Sequence, residues 1–269
     1  MSLAGKIALI TGAGRGIGAA TARRLAAEGA TVLANDLDES AFQVTQSIKA
    51  TGGKSQSLVA DILAPEAPAQ LVEQAINECG TPDILVHCAG FTADDLLEAM
   101  DEVQWSSMLD IHLSVPFRLA QALWPHWKAQ ALEAVPRQQS VSPRKFIVIS
   151  SVAALFGNAG QANYGAAKAG SEGLIRTLAR EGGPYNILAN AVRFGSIDTR
   201  LTAIREDQRK GGPGLGIVQQ RRFAAQTALR RIGTVEEASG AIYFLASDDS
   251  NYVTGQTLEV SGGLLGIFS

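Results

Sequence analysis

Three side chains in the middle of the chain have the types and the spacing that proton transfer requires. Tyr164 and Lys168 lie four residues apart, so in a helix both project from one face. A tyrosine has an ordinary pKa of about 10, and a nearby ammonium group favours its phenolate form. The hydroxyl of Ser151, upstream in the chain, could hold a carbonyl or alcohol oxygen by a hydrogen bond. A Tyr–Lys pair alone is a weak indicator, and the serine strengthens it.

The segments around these residues predict the elements that position them. Residues 145–150, Lys-Phe-Ile-Val-Ile-Ser, form an apolar run typical of a buried parallel strand. Ser151 then falls at the carboxyl end of this strand, where ligands bind in an open α/β sheet. The small residues from Gln161 onward predict the helix that carries Tyr164 and Lys168.

A glycine-rich loop stands between a predicted strand at residues 6–11 and a predicted helix that ends near Glu28. Glycines permit a tight turn and close approach of the backbone, while the start of the helix offers free N–H groups to a pyrophosphate. This order therefore predicts a dinucleotide site. Its predicted cofactor-binding residues are Gly12, Gly14, Arg15, Gly16, Ile17 and Gly18.

Two residues point to different dinucleotides. Asp36 ends the second predicted strand, twenty residues after Gly16, where a carboxylate binds both ribose hydroxyls and repels a 2′-phosphate. Arg15 could instead pair with that phosphate. We weigh Asp36 more heavily and predict NAD, with NADP left open by Arg15. The alternative role for Asp36 is that of a helix N-cap.

The composition narrows the class of protein. The 269 residues are 46% hydrophobic and 18% charged, which fits one α/β domain without a second one. A net charge of −3 gives no indication of nucleic-acid binding, and neither a long apolar run nor a signal peptide is present. We therefore predict a cytoplasmic protein without a membrane partner. Cys79, Cys88 and the three histidines have no metal-ligand spacing, so we predict no metal site.

The chain resembles the short-chain dehydrogenase/reductase family. The stretch from Ser151 through Gly-Asn-Ala-Gly-Gln-Ala-Asn-Tyr164 to Lys168 is similar to that family's active-site segment, and Thr-Gly-x-x-x-Gly-x-Gly is similar to its glycine loop. The resemblance is strongest to 3-oxoacyl-acyl-carrier-protein reductases and (3R)-hydroxyacyl-CoA dehydrogenases. It implies one Rossmann-type doubly wound α/β domain over residues 1–269, with a seven-stranded, mainly parallel sheet and helices on both faces.

The resemblance also implies roles for individual residues. Ser151 would polarise the substrate oxygen and Tyr164 would exchange its proton. Lys168 would lower the tyrosine pKa and hold the nicotinamide ribose. Further cofactor contacts would come from the ends of other strands. These implied contacts are Asp61 and Ile62 at the adenine, Ala89 and Gly90 beside the cofactor, and Ile197 and Thr199 at the nicotinamide carboxamide.

Several positions depart from the family pattern. His87 and Cys88 stand where the family usually has two asparagines, and Phe194 replaces a proline. Residues 105–132 predict a long helix, and within it His112 replaces an asparagine that belongs to the proton relay of many relatives. His112 either completes such a relay or is a buried histidine bonded to a backbone carbonyl.

The resemblance implies hydride transfer to or from a 3-oxoacyl or 3-hydroxyacyl thioester, linked to CoA or to acyl carrier protein. A steroid, sugar or small alcohol as substrate, and a catalytically silent dinucleotide-binding scaffold, are the alternatives. The resemblance also implies that residues 200–231 form the substrate lid. Eight basic and two acidic residues give this segment an excess of six positive charges. That excess could attract an anionic carrier or simply be solvated. The resemblance further implies a homo-oligomer, a dimer or tetramer.

Overall fold

The computed structural model describes residues 2–134, 140–199 and 217–264, with residues 217–220 described by their backbone only. Within these ranges seven strands form one sheet in which every neighbouring pair is parallel, in the order β3-β2-β1-β4-β5-β6-β7. The chain starts in the centre, builds outward on one side and then returns to build the other. The predicted doubly wound, seven-stranded sheet is confirmed. The strands are β1 (Ile7–Thr11), β2 (Thr31–Asp36), β3 (Lys54–Val59), β4 (Ile84–His87), β5 (Arg144–Ser151), β6 (Ile187–Phe194) and β7 (Thr257–Val260).

Helices cover both faces of the sheet. One face packs against α1, α2 and α9, and the other packs against α3, α5 and α7. Such two-sided burial explains why the central strands are almost continuously apolar: in β1, Ala8 and Ile10 enter one core while Leu9 enters the other. The helices are α1 (Gly16–Ala27), α2 (Ser40–Ala50), α3 (Ala67–Cys79), α4 (Glu102–Leu109), α5 (Val115–Ala134), α6 (Ala153–Phe156), α7 (Ala162–Gly182), α8 (Ile217–Gln226) and α9 (Val235–Ala246).

The helix predicted over residues 105–132 is not continuous. It begins as α4, where Asp101 and Gln104 form a capping box, and ends as α5. Between them lies a π-helical turn, Asp110–Ser114, which contains His112. Such turns insert one extra residue into a helix and are frequent at functional sites. The turn therefore sets the direction in which His112 projects.

Two further predictions concern segments that the structure describes only in part. The predicted lid lies outside the described residues as far as residue 216, and its remainder forms α8 and the turn that leads to α9. Residues 133–145 are rich in proline, serine and glutamine, which predicts a surface loop without a catalytic role, and of these residues 135–139 lie outside the described ranges. Among the described helices, none has both the length and the apolar composition needed to cross a bilayer.

Candidate active site

The predicted site residues converge because parallel strands end at one edge of the sheet. The glycine loop follows β1, Asp36 ends β2, and Ala89 and Gly90 follow β4. Ser151 ends β5 and is paired in register with Phe194 at the end of β6. Residues from distant parts of the sequence thus line one continuous edge.

Ser151, Tyr164 and Lys168 form the centre of this edge. The Ser151 hydroxyl is close enough to Tyr164 to act on its pKa through a hydrogen bond. Lys168 lies one turn further along α7, with its Nζ atom 5.5 Å from the centroid of the Tyr164 ring. The same Nζ donates a 2.6 Å hydrogen bond to the carbonyl oxygen of Ile149 in β5, which fixes the lysine against the sheet.

Burial dominates the electrostatics of this group. It raises the pKa of Tyr164 to about 12, although the hydrogen bond from Ser151 acts in the opposite direction. It lowers the pKa of Lys168 to about 7. The predicted lowering of the Tyr164 pKa by Lys168 is therefore not found. The hydration that a phenolate loses on burial outweighs its stabilisation by the Lys168 amine, which is only partly charged. The phenol stays protonated at neutral pH, which suits a proton donor.

His112 lies beside the phenol. Its ring meets that of Tyr164 edge to face, with centroids 5.0 Å apart and planes at 90°. Its Nε2 atom is 2.9 Å from the carbonyl oxygen of Phe91, which can only accept, so Nε2 carries the proton. Burial, followed by the charge of Lys168, lowers the pKa of His112 well below its usual value. The ring is neutral, bonded to a backbone carbonyl and in contact with Tyr164, which agrees with the second alternative; a relay role stays a prediction.

The glycine loop is packed so closely that side chains would not fit. A Cβ atom on Gly12 would lie 2.6 Å from the Cα atom of Ala89, and one on Gly18 would lie 2.0 Å from the carbonyl oxygen of Gly12. Within the described residues, no side chain caps the N-terminus of α1, and its first turn contains no acidic residue. Its free N–H groups can therefore bind a phosphate. The loop and the helix fit a dinucleotide pyrophosphate.

The adenosine end of the predicted site holds an ion network. One oxygen of Asp36 accepts from the backbone N–H of Gly14, and the other accepts from that of Leu37, both at 2.8 Å. The N-cap of α2 is Glu39, so the alternative role of Asp36 as a cap is wrong. Arg15 reaches Asp38 at 2.6 Å and Asp36 at 3.9 Å. The guanidinium of Arg15 therefore lies near two carboxylates.

The remaining predicted contacts are placed unequally. Thr199 meets the glycine loop, since a Cβ atom on Gly16 would lie 3.5 Å from its Cγ2 atom. Ile197 is buried and bridges to Gly233. Asp61 is exposed and accepts from the N–H of Leu63. Ile62 is buried in the core beside α3, so its contact with an adenine stays a prediction.

Two residues near Tyr164 were not predicted. Asp94 accepts a 2.9 Å hydrogen bond from Gln161 at the start of α7, and its charge also raises the pKa of Tyr164. Asn163 is fully buried; its amide group donates to the carbonyls of Ala93 and Gln104 and accepts from the N–H of Tyr164. An asparagine in the first turn of a predicted helix is a capping signal that could have identified Asn163.

In the described part of the chain, no three histidine, cysteine or acidic side chains cluster as a metal ion would require. Both cysteines are free thiols.

Comparison with known proteins gives consistent results. A model of the family described as enoyl-(acyl carrier protein) reductase matches residues 12–265. The 3-oxoacyl-[acyl-carrier-protein] reductase FabG of Escherichia coli is 38% identical over 265 residues, which cover 98% of this chain and 99% of that protein. The short-chain reductase protein NovJ of Streptomyces niveus is 38% identical over 258 residues, covering 96% and 93%.

Solved structures extend the comparison. A blue fluorescent protein from a metagenomic library, in complex with NADPH, superposes with a TM-score of 0.84 at 32% identity and covers 98% of this chain and 99% of that one. A putative NAD(P)-dependent gluconate 5-dehydrogenase from Beutenbergia cavernae, with bound NADP, gives a TM-score of 0.86 at 31% identity and covers 98% of each. The chain belongs to the short-chain dehydrogenase/reductase family of nicotinamide-dependent oxidoreductases.

Proposed function

We propose that this chain transfers a hydride between a nicotinamide dinucleotide and the 3-carbon of a 3-oxoacyl or 3-hydroxyacyl thioester. The observation that carries the proposal is the convergence of Ser151, Tyr164 and Lys168 beside a close-packed glycine loop that could bind a pyrophosphate. When bound, the nicotinamide supplies or accepts the hydride. The protein contributes binding, orientation and proton transfer.

The side chains divide the remaining work. The Ser151 hydroxyl holds the substrate oxygen, and the Tyr164 hydroxyl gives its proton to that oxygen as negative charge develops there. Burial keeps this phenol protonated, which favours the reducing direction. Lys168, with its pKa near 7, can give or take a proton at neutral pH and so restore the tyrosine. We also assign to Lys168 the contact with the nicotinamide ribose, and to His112 the support of the phenol ring.

An acyl thioester fits the surroundings of this centre. Phe91 and Leu155, on the segments that follow β4 and β5, are 36% and 52% exposed and can contact an acyl chain. Arg221 and Arg222 on α8 are exposed cations that can attract the phosphates of CoA or an acidic carrier protein. The name of the FabG relative supports the acyl-carrier form. Another alcohol or ketone remains the second candidate.

The test is an assay of acetoacetyl-CoA reduction, monitored through the oxidation of NADH or of NADPH. Tyr164→Phe should lower kcat on the order of 100- to 10,000-fold while the Kd for NADH, measured by fluorescence, stays unchanged. Tyr252, which is fully exposed, provides the matched control: Tyr252→Phe should keep wild-type activity. Undiminished turnover by Tyr164→Phe would refute the proton transfer, and dinucleotide binding without turnover of any carbonyl substrate would favour the scaffold alternative.

For the cofactor we propose a preference for NAD. Asp36 presents a carboxylate at the end of β2, and Arg15, the cation that could bind a 2′-phosphate, is paired with Asp38 at 2.6 Å. Two solved relatives contain NADPH or NADP, so a preference for NADP is the alternative outcome of the test. The ratio of Kd values for NADPH and NADH should fall at least about tenfold in Asp36→Ala, since about 1.4 kcal/mol of repulsion is removed. An unchanged ratio would refute the role of Asp36.

We further propose a homo-oligomer that pairs α5 and α7 with a second copy. Leu113 in the π-helical turn, Phe117 on α5 and Leu174 on α7 are the apolar residues of a surface depression, and Phe117 is 46% exposed. Arg118 beside them has a buried Nη1 atom without a hydrogen-bond partner among the described residues. Light scattering after size exclusion should give a dimer or tetramer for the wild type and a smaller species for Phe117→Asp. A monomeric wild type would refute the proposal.

A further inference from the structure

The π-helical turn leaves one buried carbonyl that its own helix cannot satisfy. The N–H of Val115 donates to the carbonyl of Asp110, five residues before it. With the same spacing, the carbonyl of Ile111 would accept a hydrogen bond from the N–H of residue 116. That residue is Pro116, which has no N–H group. A buried carbonyl that is left without a hydrogen-bond partner destabilises the fold. Some other group must therefore supply the bond.

His87 supplies it from the end of β4. Its Nε2 atom lies 2.9 Å from the carbonyl oxygen of Ile111, and its Nδ1 atom lies 2.9 Å from the hydroxyl oxygen of Thr11. The carbonyl can only accept, so Nε2 carries the proton and Nδ1 accepts the proton of Thr11. The hydroxyl oxygen of Thr11 in turn accepts from the N–H of Ala89 at 3.3 Å. A single tautomer satisfies the whole chain of bonds.

This tautomer is retained across the physiological range. His87 is 2% exposed, and burial lowers its pKa to about 3. The groups that act on it are the hydroxyl of Thr11 from β1, the Ile111 carbonyl from the π-helical turn, the positive charge of Lys168 from α7, which also disfavours protonation, and the imidazole of His112 from the same turn. The imidazole stays neutral, so the bond to Ile111 does not depend on pH.

The tethered turn leads directly to the active site. His112 is the next residue after Ile111, its Nε2 atom donates to the carbonyl of Phe91, and its ring rests against Tyr164. A displacement of the turn would therefore move the ring that supports the phenol. We propose that His87 is a positioning residue for Tyr164: its bond to the Ile111 carbonyl fixes the π-helical turn that holds His112 against the phenol. The inference rests on the proposed function only in taking Tyr164 as the proton donor.

Two substitutions separate the two bonds of His87. The amide nitrogen of glutamine can reach the place of Nε2, so His87→Gln keeps the bond to Ile111 and loses the one to Thr11. Asparagine reaches only the place of Nδ1, so His87→Asn keeps the bond to Thr11 and loses the one to Ile111. We expect kcat within about threefold of wild type for glutamine and a loss on the order of 10- to 100-fold for asparagine, with little change in KM.

Amide hydrogen exchange reports on the π-helical turn directly and does not require enzyme activity. The amides of residues 112–115 should exchange faster in His87→Asn than in the wild type, and at the wild-type rate in His87→Gln. This measurement separates failure of the inference from failure of the proposed function, because it does not depend on any substrate.

Pro116→Ala provides a rescue. It restores the N–H that the carbonyl of Ile111 lacks, so His87→Asn should cost at least about fivefold less kcat in the Pro116→Ala background than alone. If His87→Asn does not fold on its own, the double variant is measured in its place. Equal losses of kcat in both His87 variants, in step with their melting temperatures and with unchanged exchange, would show a purely structural residue and overturn the inference.

Discussion

Replacing Lys168 with methionine should make the protein more stable at neutral pH while abolishing most of its activity. Lys168 is 4% exposed, and burial lowers its pKa from 10.5 to about 7. The unfolded chain carries the charge freely in water, whereas the folded protein does not. At about 1.4 kcal/mol per pKa unit, this difference corresponds to roughly 4–5 kcal/mol of lost stability below pH 7.

The sign of the pH dependence follows from the bound protons. Between pH 7 and 10.5 the unfolded state binds more protons at this site than the folded state, so the wild type becomes more stable as the pH rises. The penalty is complete below pH 7, is roughly 2 kcal/mol at pH 9 and vanishes near pH 10.5. Methionine has a similar length and no charge. The stability difference between the two proteins should therefore shrink steadily with increasing pH.

One contact opposes this gain. The substitution removes the 2.6 Å hydrogen bond from Nζ to the carbonyl oxygen of Ile149, at a cost of about 1–3 kcal/mol. Removal of the buried charge is the larger effect, so the free energy of unfolding of Lys168→Met should exceed that of the wild type by about 2 kcal/mol at pH 7. Its kcat with acetoacetyl-CoA should fall on the order of 100-fold or more, because the proton reservoir of Tyr164 is lost.

The assay is equilibrium unfolding in urea, followed by circular dichroism at pH 6, 7, 8 and 9 and one fixed protein concentration. Lys49, an exposed lysine on α2, provides the matched control. Lys49→Met should give a stability difference that does not change with pH. A Lys168→Met protein that is less stable than the wild type at pH 6, or a difference of equal size at pH 6 and pH 9, would refute the reasoning.

Three further predictions concern the space around two glycines and a buried ion pair. A Cβ atom on Gly90 would lie 2.2 Å from Cε1 of the buried His112, so Gly90→Ala should lower kcat about tenfold or more. Gly240→Ala on α9, where the added carbon meets no described atom within 4 Å, should instead raise the unfolding free energy by about 1 kcal/mol. Glu172, 5% exposed, forms a two-point ion pair with Arg193, so urea unfolding of Glu172→Ala should show a loss of about 3–5 kcal/mol, and replacing both residues with leucine should cost less. Additive losses in the double variant would contradict this.

The elements that bear the site could be predicted because their signals are local. Apolar runs indicated β1 and β5, and the order of strand, glycine loop and helix indicated where a pyrophosphate binds. The spacing of Tyr164 and Lys168 placed both on one face of α7. The edge of the sheet on which Ser151 lies followed from the parallel order of the strands.

The electrostatic state of these residues could not be predicted, because it depends on burial and on partners distant in sequence. Spacing alone suggested that Lys168 makes Tyr164 more acidic, whereas the surrounding fold raises the pKa of the phenol and lowers that of the amine. In the sequence, His87 is only a departure from the family pattern. In the folded chain, its imidazole lies against the carbonyl of Ile111. The residue types and their order along the chain identify which groups lie at the sheet edge. Their protonation states and supporting contacts arise only on folding, because desolvation and contacts between distant segments exist only in the folded chain.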